Sequence, residues 1–290
     1  MLASKFTHGA RVATALDTCA REFGKQAESV KEITSIPNPD KAVLRVEFAG
    51  GLTIKLCVST MAHYRFDAAT QFADLIEDVR FPKVLLRSEG WAAFEWIDGI
   101  PLSELSLDSH ILDGAVHVLR AIHEAKVEAN TDIRLTTLED VRLRLERITP
   151  LLVSRGIISN TESDMISDLN RSLRLETLNI SLIHGDFSPA NLVSCGNELC
   201  VVDNEKMRIH VTDYDLCRAS TFWDEWTLGG RSLLDVYRRQ SKLQFDPASL
   251  RFWEIYDLVY RISYRISACD ELNVFCILKL KRILAAGASL

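Results

Sequence analysis

The chain has 290 residues, 47% of them hydrophobic and 26% charged, with a formal net charge of −6. That length suits one large two-lobed domain or two modest ones, and the composition is that of a folded enzyme rather than a disordered segment. A net negative field repels phosphate backbones and so argues against nucleic acid as a partner. Seven cysteines, an odd number with no Cys-x-x-Cys pair, argue against a disulfide framework or a zinc site.

Neither a run of about eighteen apolar residues nor an apolar signal core after Met1 is present, which leads us to expect a cytoplasmic protein with no membrane partner. From Val30 to Phe48 the chain is rich in strand formers, broken by Pro37 and Pro39; Ala49-Gly50-Gly51 then turns it into the run Leu52 to Val58, a predicted hairpin. Arg65 to Asp78 has near-helical apolar spacing, and strands are predicted over Lys83 to Arg87 and Trp91 to Trp96. After the turn-rich Ile97-Asp98-Gly99-Ile100-Pro101 the texture becomes helical. Helices are predicted from Leu107 to Ala125 with Asp108 as a cap, from Thr137 to Val153 and from Thr161 to Leu178. Ile180 to Ile183 and Leu199 to Val202 read as short strands, with Leu192-Val193-Ser194 and a Gly196-Asn197 turn between them. Helices resume after Tyr214, and Asp246-Pro247 supplies a cap followed by a first-turn proline.

The polar residues cluster from 184 to 205: His184-Gly185-Asp186, then Asn191 five residues after Asp186, then, beyond a hairpin, Asp203-Asn204-Glu205. This segment resembles the catalytic loop of the aminoglycoside phosphotransferase and choline kinase group, relatives of the protein kinases. In that group His-Gly-Asp is followed after four residues by Asn and, at the end of the next strand, by a metal-binding Asp. The resemblance implies an α+β, two-lobed, protein-kinase-like fold with nucleotide in the cleft. Residues 1–97 would form the small sheet lobe, and residues 98–290 the larger, mainly helical lobe that carries catalysis and the acceptor.

The same resemblance implies a reaction in which the γ-phosphoryl group of ATP or GTP passes to a hydroxyl. Such transfer leaves a protein little covalent work beyond aiming the hydroxyl and neutralising phosphate charge. Asp186 would act as base, and Asn191 and Asp203 as ligands of Mg2+. Asp203-x-Glu205 matches the choline kinase-like and methylthioribose kinase-like members; on a strand the two carboxylates share a face, so Glu205 either joins the metal or faces solvent.

In the first lobe, Lys55 lies within the apolar run Leu52 to Val58, on an exposed strand face or aimed at the nucleotide phosphates. The resemblance favours the phosphates. Its helix partner would be Asp67, where relatives carry Glu, with Asp74 or Glu77 as substitutes. No Gly-x-Gly-x-x-Gly loop is present. The segment around Glu95 and Ile97 resembles the hinge that pairs with the purine through its backbone, and Ser188 in the catalytic loop is placed on the nucleotide side. Leu119 to His123 reads as core packing.

Tyr214 follows Asp203 by only eleven residues, too few for the long activation segment on which protein kinases dock peptides, so a small-molecule acceptor is favoured. An aminoglycoside or another antibiotic comes first; choline, thiamine, methylthioribose or a sugar comes second. Asp213, Asp215, Trp223, Asp224, Glu225, Trp226 and Asp257 would suit a cationic acceptor through ion pairing and cation–π contact. The rival of another class is a catalytically inactive binding scaffold, whose mark would be loss of Asp186, Asn191 or Asp203.

Overall fold

Alternation of apolar residues sets the first part of the structure, a computed structural model that describes residues 8–33, 41–59, 66, 72–73, 75–106, 108–127, 138–173, 178–196, 198–223, 232–269 and 272–287. Strands β2 (Lys41–Phe48) and β3 (Leu52–Ser59) pair antiparallel from Lys41↔Ser59 to Phe48↔Leu52. Gly50 and Gly51 both have positive φ, 78° and 80°, as a tight hairpin whose twist matches its strands requires. With β1 (Ala27–Glu32), β4 (Val84–Ser88) and β5 (Trp91–Glu95) they form a five-stranded sheet of order β1-β2-β3-β5-β4.

Directly paired residues share a face, so the register sorts this sheet into two surfaces. Leu44, Val46, Phe48, Ile54, Leu56 and Val58 pack against Val12, Ala15, Leu16 and Cys19 of helix α1 (Gly9–Phe23). Each buried Val, Leu, Ile or Phe among them contributes roughly 1.5–3 kcal/mol over remaining exposed. The other face carries Lys41, Arg45 and Lys55 beside a smaller apolar cluster of Val43, Cys57, Phe66, Ala92 and the partly buried Phe94. Helix α1 is an element the sequence reading passed over, although its buried residues keep helical spacing.

The described chain forms two compact units: Met1–Leu105 with Ala190–Met207, and Ser106–Pro189 with Arg208–Leu290. The sequence-based boundary fell at residue 97. The later segment joins the first unit because β6 (Ile100–Pro101), β8 (Leu192–Cys195) and β9 (Glu198–Val201) make a three-stranded sheet, and because Val201 donates its N–H to the Arg80 carbonyl at 2.9 Å. Glycine is required at 99, where an added Cβ would lie 2.4 Å from the Ser194 carbonyl oxygen and 2.6 Å from Val193.

The second unit is mainly helical. Helices α2 (Ser109–Glu124), α3 (Leu138–Ser154), α4 (Asn160–Ser172), α5 (Thr212–Trp223), α6 (Leu233–Gln240), α7 (Pro247–Cys269) and α8 (Val274–Gly287) accompany a two-stranded sheet of β7 (Ile180–Ile183) and β10 (Arg208–Val211). Asp108 caps α2 by accepting from the Ile111 N–H at 2.8 Å, and the Asp246 carboxylate accepts from Ala248 at the start of α7. Helix α4 ends at Ser172, earlier than the expected Leu178, and is opened by a reciprocal Ser159–Glu162 capping box. Trp253, Tyr256, Ile262 and their neighbours on α7 form the centre of this unit's core with Leu145 and Leu152 of α3 and Tyr214 of α5. Cys19, Cys57, Cys195, Cys200, Cys217 and Cys276 are free, and none of the described helices is long and apolar enough to cross a membrane.

Candidate active site

In the first unit the polar residues gather at the open end of the β8–β9 hairpin. The Val202 N–H donates to the Asn191 carbonyl at 2.9 Å, which holds the strand leaving Asn191 beside the segment that ends at Asp203. Strand β9 stops at Val201, and Asp203 takes left-handed backbone angles, φ 61° and ψ 46°, before a single 3-10 turn over Asn204–Lys206. The expectation that 203 and 205 share a face because they lie on a strand is therefore corrected: neither is on a strand, and it is the left-handed residue that redirects the chain. A non-glycine residue held there is strained, and among the described residues only His8 shares that condition.

The turn nevertheless brings both carboxylates to the sheet. Lys55 is ion-paired with Asp203, and Lys41 with Glu205. Lys41 and Lys55 lie on the same face of β2 and β3. Burial alone would push the Lys55 ammonium down, but Asp203 and, further off, Glu205 outweigh it and hold it well above its ordinary value. Lys41 is raised in the same way, chiefly by Glu205 acting against burial. Burial alone would raise the Glu205 carboxyl, yet Lys41 and Lys55 draw it well below the usual carboxylate range.

Among the described residues no three or more His, Cys, Asp or Glu side chains cluster as a metal-ready group. The expected ligand set has two carboxylates and one amide. Asn191, Asp203 and Glu205 are all hard oxygen donors, and Mg2+ takes one or two carboxylates while keeping waters and phosphate oxygens, so the set present fits that cation.

The first-unit assignments fare unevenly. Asp67 and Asp74 lie outside the described residues, Glu77 is exposed, and among the described residues Lys55 is bonded to Asp203. Glu95 ends β5 with its N–H donated to the Lys83 carbonyl at 2.8 Å, and its side chain accepts from Arg80 and from the Lys83 N–H. Ile97 is half-buried just after it.

In the second unit the loop after β7 is fixed by α5. Gly185 has φ 77°, which explains glycine in the motif. The Asp215 carboxylate accepts from the His184 N–H at 2.9 Å and the Gly185 N–H at 2.7 Å. One turn further along the helix, Arg218 donates through Nη2 to Asp186 Oδ1 at 2.9 Å and through Nη1 to Asp257 Oδ1 at 2.6 Å. The Asp186 N–H donates to His184 Nδ1, and Trp223 Nε1 donates to the Phe187 carbonyl. Ser188 is buried in the same loop. His123, expected as core packing, is buried but also hydrogen-bonded, to Asp215 and to the Tyr237 hydroxyl.

These bonds change the reading of the acceptor acids. Asp213 is buried and accepts from Ser249, Asp215 is taken up by backbone amides and His123, and Asp257 is fully buried against Arg218. All three serve the interior of the unit. Trp223 is buried too, while Asp224, Glu225 and Trp226 lie outside the described residues. Lys41 and Arg218 are the site residues the sequence reading did not nominate.

The model of the phosphotransferase enzyme family matches residues 61–253. No curated protein matches the chain in sequence. Among solved structures, a spectinomycin phosphotransferase in complex with ADP and spectinomycin superposes with a TM-score of 0.67 at 14% identity, covering 96% of this chain and 98% of that one. A thermostable mutant of an aminoglycoside phosphotransferase, in its apo form, gives 0.69 at 15% identity over 95% and 100%. Choline kinase from Cryptosporidium parvum Iowa II gives 0.65 at 13% identity over 96% of each chain. At these identities the likeness establishes the fold, α+β and protein-kinase-like, while the family match covers more than half of the chain, including Asp186, Asn191, Asp203, Glu205 and Arg218 but not Lys41 and Lys55. The chain belongs to the phosphotransferase enzyme family, a kinase that passes a nucleotide's phosphoryl group to a hydroxyl.

Proposed function

We propose that this enzyme phosphorylates a hydroxyl of a small antibiotic of the aminoglycoside type, using ATP or GTP with Mg2+ in the cytoplasm, and so gives resistance. The observation that carries the reading is the pairing of Asp203 and Glu205 with Lys55 and Lys41 beside Asn191. Two cations and three oxygen donors are what a metal–triphosphate needs.

In this reading Asp186 accepts the proton as the acceptor O–H bond breaks and the new O–P bond forms. The bond from the γ-phosphorus to the bridging oxygen breaks, and the nucleoside diphosphate leaves. Asn191, Asp203 and Glu205 would hold Mg2+, which when bound neutralises charge on the phosphate oxygens. Lys55 and Lys41 exchange their carboxylates for phosphate oxygens. The purine would pair with backbone groups around Glu95 and Ile97, with Asp67 and Ser188 in the supporting roles the family pattern gives them. That Asp186, Asn191 and Asp203 are all present weighs against an inactive scaffold.

Support for an antibiotic acceptor comes from the spectinomycin and aminoglycoside phosphotransferases among the similar structures. A second reading, a metabolite kinase acting on choline, thiamine, methylthioribose or a sugar, is favoured by the internal engagement of Asp213, Asp215 and Asp257, which removes three of the acids expected to hold a polycation. The test is nucleotide consumption with magnesium across a panel of both acceptor classes, run beside Asp186→Asn. Turnover with an aminoglycoside or spectinomycin, lost in the variant, supports the first reading; turnover confined to metabolites selects the second. Nucleotide bound without consumption throughout the panel would overturn both.

A further inference from the structure

Helix α5 holds the catalytic loop twice, at positions one turn apart. Asp215 takes the loop's backbone through the His184 and Gly185 amides, and Arg218 takes its side chain through Asp186 Oδ1 at 2.9 Å. Residues three apart on a helix lie on one face, so both grips come from the same surface of α5.

Arg218 is itself built in. Its side chain is 9% exposed, its second terminal nitrogen donates to the fully buried Asp257 at 2.6 Å, and its guanidinium lies over the Phe222 ring with the centroid 5.3 Å away. Arg261 stands 3.7 Å from the remaining Asp257 oxygen and 4.3 Å from the same ring. A planar fork bound at both prongs cannot turn without breaking a buried charge pair. We propose that Arg218 is the positioning residue for Asp186, with Asp257, Phe222 and Arg261 as its mount; the inference rests on the reading of Asp186 as the base.

A guanidinium beside a carboxylate makes it a weaker base, which would be a poor arrangement if proton abstraction drove the reaction. In phosphoryl transfer the transition state is loose and the protein's main contribution is alignment. Arg218 therefore serves Asp186 by holding its carboxylate plane, and thereby fixes which oxygen faces the acceptor. Also beside the pair are His184, whose Nδ1 accepts from the Asp186 N–H, and Tyr214, one turn before Arg218 on α5.

The test is a cycle of four full-length proteins, wild type, Arg218→Met, Asp186→Asn and the double variant, with Arg218→Lys added. Hydrolysis of Mg-ATP with water as acceptor and thermal melting are both read. We expect Asp186→Asn to lower kcat by about 10²–10⁴-fold. Arg218→Met should lower it by about 10- to 100-fold with the KM for ATP unchanged, the loss that misalignment of a reacting group brings. The double variant should be no slower than Asp186→Asn alone, and Arg218→Lys should recover part of the rate. Unchanged kcat in folded Arg218→Met, a KM that rises with the loss of kcat, or losses that multiply in the double variant would each overturn the inference. If Asp186→Asn hydrolyses ATP normally, the reading of Asp186 as the base is what fails. The melting cycle needs no turnover: coupled shifts support the Arg218–Asp186 grip, and additive shifts refute it.

Discussion

His123 Nε2 lies 3.1 Å from the Asp215 carboxylate oxygen that also accepts from the His184 amide, and both side chains are fully buried. The loop after β7 thus hangs from one ionised group in the interior of the helical unit. Asp215→Ala would leave the His184 and Gly185 amides without partners, at about 1–3 kcal/mol for each unsatisfied group. We expect a loss of about 3 kcal/mol or more in urea unfolding.

The same carboxylate gives the protein a pH dependence of known sign. Burial alone would raise the Asp215 carboxyl, but its bonds to His123 and to the loop amide hold it below its ordinary value. Its folded value therefore lies under its unfolded one. The stability it contributes is complete above the ordinary aspartate value of about 3.9 and is lost as pH falls through the folded value. Urea midpoints of the wild type should drop below about pH 4, and this acid-side slope should flatten in Asp215→Asn.

Lys41 and Glu205 are both largely buried, with side-chain exposures of 20% and 12%. Removing one partner of such a pair leaves a charge without compensation, whereas replacing both by apolar groups is close to neutral. Lys41→Met should cost about 2 kcal/mol or more in denaturant unfolding, and Lys41→Met with Glu205→Met should recover most of it. Both proteins should bind ATP more weakly, as isothermal titration would show.

Gly99→Ala pushes a methyl group onto the Ser194 carbonyl oxygen, only 2.4 Å from the new Cβ. Overpacking of this kind costs about 1–3 kcal/mol, and a backbone oxygen can yield little, so a loss near the upper end is expected in thermal melting. Gly196→Ala meets no atom within 4 Å. Its cost arises only from a positive φ of 66° and should stay near about 1 kcal/mol.

Removing divalent cations with EDTA should abolish nucleotide turnover, and adding Mg2+ should restore it. Melting temperature should not change on chelation, because Lys41 and Lys55 already pair with the carboxylates proposed as ligands. A fall in melting temperature would show instead that the cation is part of the fold.

The loop from His184 to Asn191 was legible in the sequence because its chemistry is packed into a short, local spacing. So were the Lys41–Phe48 to Leu52–Ser59 hairpin and the caps at Asp108 and Asp246, each set by neighbours a few residues away. What escaped depends on distant pairing. Lys41 meets Glu205 across 164 residues, and Arg218 meets Asp186 across 32, through a register and a helix face that no local pattern announces. The alternation argument for Asp203 and Glu205 failed for a physical reason, since a left-handed residue ends the strand on which it relied. Helix α1 had a signal in Val12, Ala15, Leu16 and Cys19 that went unread, and β10, where Arg208 and His210 interrupt Ile209 and Val211, offered no apolar run.

The segment Ala190–Met207 has a consequence for how the protein can be made. Lys41 and Lys55 come from the early part of the first unit, and their carboxylates come from residues that follow some eighty residues of the second. A growing chain holds both ammonium groups without opposite charge, and β6 without its partner β8, until synthesis has passed Glu205. A fragment ending at Leu105 would carry the same two deficits permanently. The first unit cannot be cut out as a contiguous nucleotide-binding module; excising it intact requires grafting the hairpin back on, or permuting the chain so that the hairpin is joined directly to β6.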